Sequence, residues 1–213
     1  ALIAFMAWIG YTQDHANYPQ PLTVAVNDQD WFEGGASAPV TIVEYSDFQC
    51  PACAAYYPVM KELIAAYGEQ IKIVYRNYPL TQIHPNAQLA SQAAEAAGIQ
   101  GKFFEMHDLL FENQHMWSDL ADPTEAFIAF ATNIGINVDQ FRTDLTSSAT
   151  RTAVAEDVRS GMSTNVSGTP SFFLNGVLID SPQGLQPFMN LINATLTASV
   201  TDTDQQQSTP ATE

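Results

Sequence analysis

A pair of cysteines at the junction between an apolar strand and an amphipathic helix places the strongest constraint on the fold. Val40–Tyr45 is an apolar, β-branched run of the kind that forms buried central strands. Cys50 and Cys53 follow shortly after it, and residues 51–67 carry apolar side chains at helical spacing. A second strand is predicted over Ile71–Tyr75. The pattern predicts a strand–helix–strand unit with two parallel strands and a right-handed crossover, and it places the cysteines at the amino end of the helix.

The two cysteines lie three positions apart and are the only ones in the 213 residues. A structural disulfide framework needs several spaced cysteines, and a bridge across so short a loop restricts little chain entropy. A zinc site needs four ligands, and the four histidines show no cluster that would complete one. The pair is therefore better suited to redox chemistry than to stapling the fold or binding a metal.

The position of Cys50 at a helix start favours a reactive thiolate. Backbone N–H groups of the first helical turn are unpaired there, and the helix dipole favours negative charge, so the pKa of Cys50 is expected to be lowered. Pro51 suits the first turn because its missing N–H has no helical role there. Cys53, one turn further along, is expected to be the more buried partner within bridging distance of Cys50.

The rest of the chain changes from helix back to strand. Apolar spacing predicts a nearly all-helical stretch, with helices over residues 87–97, 102–112, 123–131, 138–145 and 150–162. Two short strands then flank an Asn-Gly turn, over residues 171–174 and 177–179, before a closing helix over residues 185–196. The order predicts an α/β fold in which an all-α insertion, at about residues 84–165, separates a βαβ half from a ββα half.

The two ends of the chain differ from the domain between them. Ala1–Ile9 is apolar and uncharged but shorter than the roughly 20 residues that a membrane span needs. We interpret residues 1–10 as the end of a signal peptide or of a membrane anchor, with a short buried strand or helix as the alternative. Residues 11–38 are predicted to form a linker and first strand region, with that strand at Leu22–Val26. The main domain is predicted over residues 39–200, followed by a disordered polar tail over residues 201–213.

The charge balance excludes one class of partner. The chain has 7 basic and 23 acidic residues, a formal net charge of −16. A nucleic-acid-binding protein needs a basic surface that displaces counterions, so no nucleic-acid partner is expected. The acidity is compatible with a soluble domain and carries no information about the fold.

Several motifs, in the same order along the chain, resemble those of the DsbA-like thioredoxin family. They are EYSDFQCPAC at residues 44–53, NYPL at 77–80 with HP at 84–85, QGKFFEMHDLLF at 100–111, and GTPSFFLNG at 168–176. The resemblance covers roughly residues 40–196. It implies a thioredoxin-like fold with the helical insertion described above.

The resemblance also assigns roles to individual residues. It implies a redox-active disulfide between Cys50 and Cys53 and requires no other cofactor and no metal. Glu44, six residues before Cys50, is the expected general acid and base for Cys53; an exposed strand residue is the alternative. Gly168, Thr169 and Pro170 correspond to a substrate-binding loop whose proline follows a cis peptide bond.

The dipeptide between the cysteines, Pro51 and Ala52, is expected to modulate the site, because the best-known strong oxidants of the family have Pro-His there. Without a histidine cation, Cys50 loses one source of thiolate stabilisation. Thr169 also differs from the valine that precedes the proline in those oxidants.

The resemblance implies a monomeric protein disulfide oxidoreductase outside the cytoplasm, in the periplasm or at the cell surface. The apolar residues 1–10 add the expectation that it is anchored through its N-terminus. Its expected partners are reduced or unfolded secreted proteins and a membrane redox partner of the DsbB or VKOR type. Two alternatives stay open: a disulfide reductase or isomerase of the same fold, and a non-catalytic, chaperone-like peptide-binding module.

Overall fold

A five-stranded mixed sheet lies at the centre of the domain. The structure is a computed structural model, and it describes residues 20–207. The strands follow the spatial order β1–β3–β2–β4–β5 and comprise β1 (Trp31–Gly34), β2 (Val40–Ser46), β3 (Ile71–Asn77), β4 (Ser171–Leu174) and β5 (Val177–Ile179). β2 and β3 are parallel, whereas the other neighbours are antiparallel. The predicted parallel pair and the predicted β4–β5 hairpin are thereby confirmed.

Eight α-helices surround the sheet in the described part of the chain. They are α1 (Pro51–Tyr67), α2 (Ala87–Gly98), α3 (Phe103–Glu112), α4 (Gln114–Trp117), α5 (Thr124–Asn133), α6 (Val138–Leu145), α7 (Ser148–Ser163) and α8 (Leu185–Gln207). A 3-10 turn over Gly68–Gln70 joins α1 to β3. The predicted α/β class with a helical insertion is confirmed, and the short α4 is the one inserted helix that the apolar spacing did not predict.

The two faces of the sheet are covered by different elements. Residues 40, 42, 71 and 73 face α1 and α8, where Phe172, Phe188 and Ile192 complete a fully buried cluster. The opposite face carries Val43 and Tyr45, packed near α7. Because side chains alternate along a strand, each strand of the core contributes to both clusters.

An N-terminal segment, which we call the strap (residues 20–30), runs from one side of the sheet to the other. At β5 its backbone bonds are Leu22 N–H to Gly176 O (2.7 Å) and Leu178 N–H to Gln20 O (3.0 Å). The strap then continues into β1, which pairs with β3 at the opposite edge. The predicted first strand at Leu22–Val26 is therefore wrong, because this stretch has no neighbouring strand along its length and the first strand is β1.

Arg76 fixes the strap to the sheet. All five of its N–H donors are used: two bond Asp30, two bond the carbonyls of Val24 and Ala25, and one bonds the hydroxyl of Tyr45. The Arg76 and Asp30 side chains are only 2% and 5% exposed. The two buried charges therefore compensate each other, and the same contacts hold the strap against the sheet.

The β4–β5 turn shows why its sequence predicts a hairpin. Asn175 has φ of 46° and Gly176 has φ of 80°, the left-handed region that two-residue hairpin turns require. The Asn175 side chain also accepts a 2.7 Å hydrogen bond from the Thr41 N–H. The turn is thus tied to the strap and to β2.

The two ends of the described chain bear on the predicted domain boundaries. Helix α8 continues to Gln207, into the segment predicted to be disordered from Thr201. The sequence between Leu196 and Gln207 contains no Gly or Pro to end a helix, which accounts for the extension. The predicted anchor at residues 1–10 lies outside the described residues. None of the helices described combines the length and apolarity that a membrane span requires.

Candidate active site

The cysteine pair lies where β2 ends and α1 begins. Cys50 is the N-cap of α1, with extended backbone angles, and Pro51 occupies the first turn. The loop that leads into the helix is closed by a 3.0 Å hydrogen bond from the Cys50 N–H to the Asp47 carbonyl. The sequence-based placement of both cysteines at a helix start is therefore correct.

The Cys50 sulfur has several groups that favour its thiolate. The Cys53 thiol is the main cause that lowers the pKa of Cys50, from 9.0 to about 5, although burial opposes it. Backbone N–H groups of Ala52 and Cys53 and the Thr169 side chain lower it further. A thiolate at neutral pH results without the histidine cation that the Pro51-Ala52 dipeptide lacks. Sequence reasoning did not assign this role to the Cys53 thiol.

The Cys53 sulfur has the opposite environment. Its side chain has no exposed surface, whereas Cys50 is 7% exposed, and burial raises the pKa of Cys53. The negative charge of Glu44 raises it further. Both cysteines are present as free thiols. Cys50 is therefore the more exposed sulfur and the one that favours a thiolate, whereas Cys53 is a buried, protonated thiol.

The loop before β4 faces Cys50. The Thr169–Pro170 peptide bond is cis, as the resemblance implied. The Cys50 thiol lies 3.5 Å from the Thr169 carbonyl oxygen, so the loop and the reactive sulfur meet. The Gly168 carbonyl accepts a 2.7 Å hydrogen bond from the Ser171 hydroxyl, which fixes the loop where β4 begins. Of the three predicted loop residues, Thr169 thus contacts Cys50, and Gly168 and Pro170 flank it in the same loop.

Glu44 lies on β2 beneath the cysteines. It is 5% exposed, which excludes the alternative of an exposed strand residue. Burial raises the pKa of its carboxyl to about 7, while the Ser46 hydroxyl opposes the shift. Because that pKa is close to neutral, Glu44 can hold or release a proton under physiological conditions.

Asp47 organises the loop between β2 and α1, and sequence reasoning did not assign it a role. Its fully buried carboxylate accepts three hydrogen bonds, from the Gln49 N–H (2.7 Å), the Leu80 N–H (2.9 Å) and the His84 imidazole (2.7 Å). The Asp47 N–H in turn points at the Cys53 sulfur, at 3.5 Å. The motif with His84 is therefore a structural support of the cysteine loop.

Two glutamines join the cysteine loop to the helical insertion. The Gln114 side chain donates to the carbonyls of Phe48 (2.7 Å) and Cys50 (3.1 Å). The Gln49 side chain donates to the Ser118 carbonyl and accepts from the Asn86 N–H, both at 2.7 Å. Only the fold reveals these residues, because their partners lie 37 to 69 positions away in sequence.

A second pair of carboxyls, those of the buried Glu95 and the half-buried Asp157, lies apart from the cysteines. Glu95 accepts a hydrogen bond from Trp31, and the Asn77 side-chain amide donates to both Glu95 and Asp157, at 2.8 and 3.0 Å. Burial raises the pKa of Asp157 to about 7 and also raises the pKa of Glu95. The pair borders a cavity of about 350 Å³ next to the strap. Among the described residues, no group of three or more His, Cys, Asp or Glu side chains is arranged to hold a metal ion.

Comparison with known proteins identifies the family. The family model described as Thioredoxin matches residues 26–194. The Na(+)/H(+) antiporter NhaA 3 of Salinispora tropica is 40% identical over 159 residues, and the match covers 75% of this chain and 24% of that protein. NhaA 1 of Salinispora arenicola is 44% identical over 149 residues, which cover 70% of this chain and 22% of that protein. The chain therefore spans about a quarter of the length of these relatives.

Solved structures share the fold at low sequence identity. Alpha-DsbA1 of Wolbachia pipientis superposes with a TM-score of 0.74 at 18% identity and covers 85% of this chain and 97% of its own. Oxidised BdbD of Bacillus subtilis superposes with a TM-score of 0.73 at 20% identity and covers 84% and 97%. The chain therefore belongs to the thioredoxin family and has the fold of its DsbA-like thiol–disulfide oxidoreductases.

Proposed function

We propose that the chain is a thiol–disulfide oxidoreductase that introduces disulfides into extracytoplasmic proteins through Cys50 and Cys53. The observation that carries the proposal is the contrast between the two sulfurs. The pKa of the accessible Cys50 is lowered to about 5, whereas burial raises the pKa of Cys53. A thiolate that is stable when reduced is a good leaving group from a mixed disulfide, which favours net oxidation of the substrate.

The substrate is oxidised in two thiol–disulfide exchange steps, and the cysteine pair is reduced in the process. A substrate thiolate attacks Cys50 Sγ of the disulfide, so that a bond between the substrate sulfur and Cys50 forms and the Cys50–Cys53 bond breaks. Cys53 leaves as a thiolate and then takes up a proton. A second substrate thiolate then attacks the substrate sulfur of the mixed disulfide and releases Cys50. The substrate loses two electrons to the pair, which ends as a dithiol.

The loop at Pro170 supplies a place for the substrate backbone. The Thr169 carbonyl lies 3.5 Å from Cys50 Sγ, so a peptide held along Gly168, Thr169 and Pro170 would present its cysteine to the reactive sulfur. Extended peptides that add to an exposed backbone edge are a common recognition mode. This mode depends on main-chain groups, which suits an enzyme that acts on many unfolded chains.

The proposal extends to the cellular setting. We place the domain outside the cytoplasm, anchored through its N-terminus, with a membrane redox partner of the DsbB or VKOR type that reoxidises Cys50 and Cys53. The antiport named for the relatives is not part of the proposal, because the match covers about a quarter of those proteins and the site described above carries sulfur chemistry.

The test is the reduction potential of the Cys50–Cys53 pair, obtained by equilibration with glutathione buffers and quantification of free thiols. We expect a value well above that of the cytosolic glutathione pool. A strongly reducing value would contradict the oxidase assignment and favour a reductase. The Cys50→Ser variant is the matched control: if it still promotes disulfide formation in a reduced substrate protein, the cysteine mechanism is wrong and the peptide-binding module is favoured.

A further inference from the structure

Two buried hydroxyl groups beneath the cysteines lack a hydrogen bond of good geometry. In the described part of the chain, Ser46 Oγ and Tyr75 Oη are buried side-chain atoms without a well-formed hydrogen bond. Ser46 is completely buried and Tyr75 is 3% exposed. Buried polar groups are nearly always hydrogen-bonded, so two such groups in one place require an explanation.

The register of the sheet brings these hydroxyls to Glu44. Glu44 and Tyr75 are direct partners on the parallel strands β2 and β3, so their side chains lie on the same face. Ser46, two positions after Glu44 on β2, lies on that face as well. Cys53 packs in the same buried cluster as Tyr75. Glu44, Ser46 and Tyr75 therefore form a polar group under the buried sulfur.

The buried sulfur needs a neighbour that can carry a proton. Cys53 has no exposed surface, so its proton cannot pass directly to solvent. The Asp47 N–H that points at Cys53 can stabilise a thiolate but cannot give up its proton. A serine hydroxyl can accept one proton while it donates another. The Ser46 hydroxyl also opposes the rise in pKa of both Glu44 and Cys53, so it lies close to both groups.

We propose that Ser46 relays the proton between Glu44 and Cys53 during disulfide exchange. This inference rests on the proposed function. When Cys53 leaves as a thiolate, Ser46 gives its proton to the sulfur and receives one from the protonated Glu44, which becomes a carboxylate. When Cys53 attacks, the proton moves from the thiol through Ser46 to the Glu44 carboxylate. No electrons move in either relay step, and Ser46 ends as it began.

The test separates the reaction of Cys50 from that of Cys53. Reduced protein is mixed with oxidised glutathione: Cys50 first attacks to form a mixed disulfide, and Cys53 then attacks Cys50 Sγ and expels glutathione. We expect Ser46→Ala to leave the first rate unchanged and to slow the second about ten-fold at neutral pH. This is less than the roughly 10²–10⁴-fold that general acid–base catalysis contributes, because Glu44 is still present. Glu44→Gln should slow the same step, and the double variant should be no slower than the slower single variant.

Controls address the folding of the variants. Ser91→Ala is the matched control, because Ser91 Oγ on α2 is also buried and unpaired but belongs to the helical insertion; it should change neither rate. Ser46→Ala should keep or raise the urea midpoint, since it removes an unsatisfied hydroxyl. Ser46→Thr, which retains a hydroxyl, should restore most of the second rate.

The outcomes distinguish this inference from the proposed function. If the wild type forms neither the mixed disulfide nor the intramolecular disulfide, the proposed function fails. If the wild type completes both steps and Ser46→Ala has the same second rate and the same pH profile, the relay is overturned while the proposed function stands. Equal slowing of both steps by Ser46→Ala would also overturn the relay, because it would indicate a general disturbance of the site.

Discussion

The stability of the reduced protein should depend on pH through Cys50, and a single substitution isolates that dependence. The pKa of Cys50 is lowered from 9.0 to about 5 in the folded state. A group with a lowered pKa adds stability that is complete above the unfolded pKa and is lost as pH falls through the folded pKa. In reduced wild-type protein, the contribution of Cys50 should therefore decline from pH 9 and vanish below about pH 5. Cys50→Ser lacks the contribution at every pH.

The expected magnitude follows from the shift. Between pH 5 and pH 7 the thiol would still be protonated in the unfolded chain but ionised in the folded one, a gain of about two pH units, or at most about 2.7 kcal/mol at about 1.4 kcal/mol per unit. Because Cys50 is only 7% exposed, solvent screens little of this gain, and we expect about 2 kcal/mol. Other ionisable groups are common to both proteins and cancel in the difference.

The assay is urea unfolding of reduced wild type and Cys50→Ser, with a non-thiol reductant present, at pH 5, 6, 7 and 8. The free energy of unfolding of the wild type minus that of the variant should rise steadily with pH. A difference that stays constant across this range would refute the account of the Cys50 thiolate, and with it the main argument for an oxidising pair.

Three further predictions concern ionisable groups other than Cys50. Glu44→Gln should raise the free energy of unfolding by up to about 3 kcal/mol at pH 8 and leave it unchanged at pH 4, because burial raises the pKa of Glu44 from 4.5 to about 7 and the wild type loses stability as pH rises towards that value. Asp157→Asn should behave alike for the same reason while it keeps an acceptor for Asn77, and equal stability of variant and wild type at pH 8 would contradict it. Unlike Glu44→Gln, it should leave disulfide exchange unchanged. Arg76→Met should lower the free energy of unfolding by about 3–5 kcal/mol in urea titrations, because it leaves the buried Asp30 carboxylate without its positively charged partner, and a loss below 1 kcal/mol would refute that reasoning.

Much of the fold follows from local patterns. The periodicity of Val40–Tyr45 and of the segment after Cys50 predicts the β2–α1–β3 unit, and Asn175 with its glycine predicts the hairpin. The first strand could not be predicted in the same way. Trp31–Gly34 is short and ends in glycine, and it becomes a strand only because the edge of β3 is available to pair with it. Leu22–Val26 has a stronger apolar pattern but crosses the sheet instead of joining it.

The residues of the candidate site also fall into two groups: those that a local sequence motif identifies and those that only the fold identifies. Cys50, Cys53 and the cis proline are identified by motif, because their chemistry depends on residues that are adjacent in sequence. Ser46 and Gln114 are not, because their roles arise from strand register and from contacts across the helical insertion. A residue with an ordinary type and distant partners gives no sequence signal until the fold is known.

The strap also affects whether the domain can form unwanted strand pairs with its proposed substrates, which are unfolded proteins. The unpaired N–H and C=O groups of an open sheet edge can pair with a strand of another protein, and unfolded chains are the most prone to form such pairs. Here residues 20–22 occupy the outer side of β5, and the same segment continues into β1 to occupy the outer side of β3. β1 then forms that edge of the sheet, but it is only four residues long, so a visiting chain meets no long unpaired strand in the described part of the sheet. The strap would thus let an unfolded substrate protein reach Cys50 while reducing the chance that the two proteins aggregate through their strands.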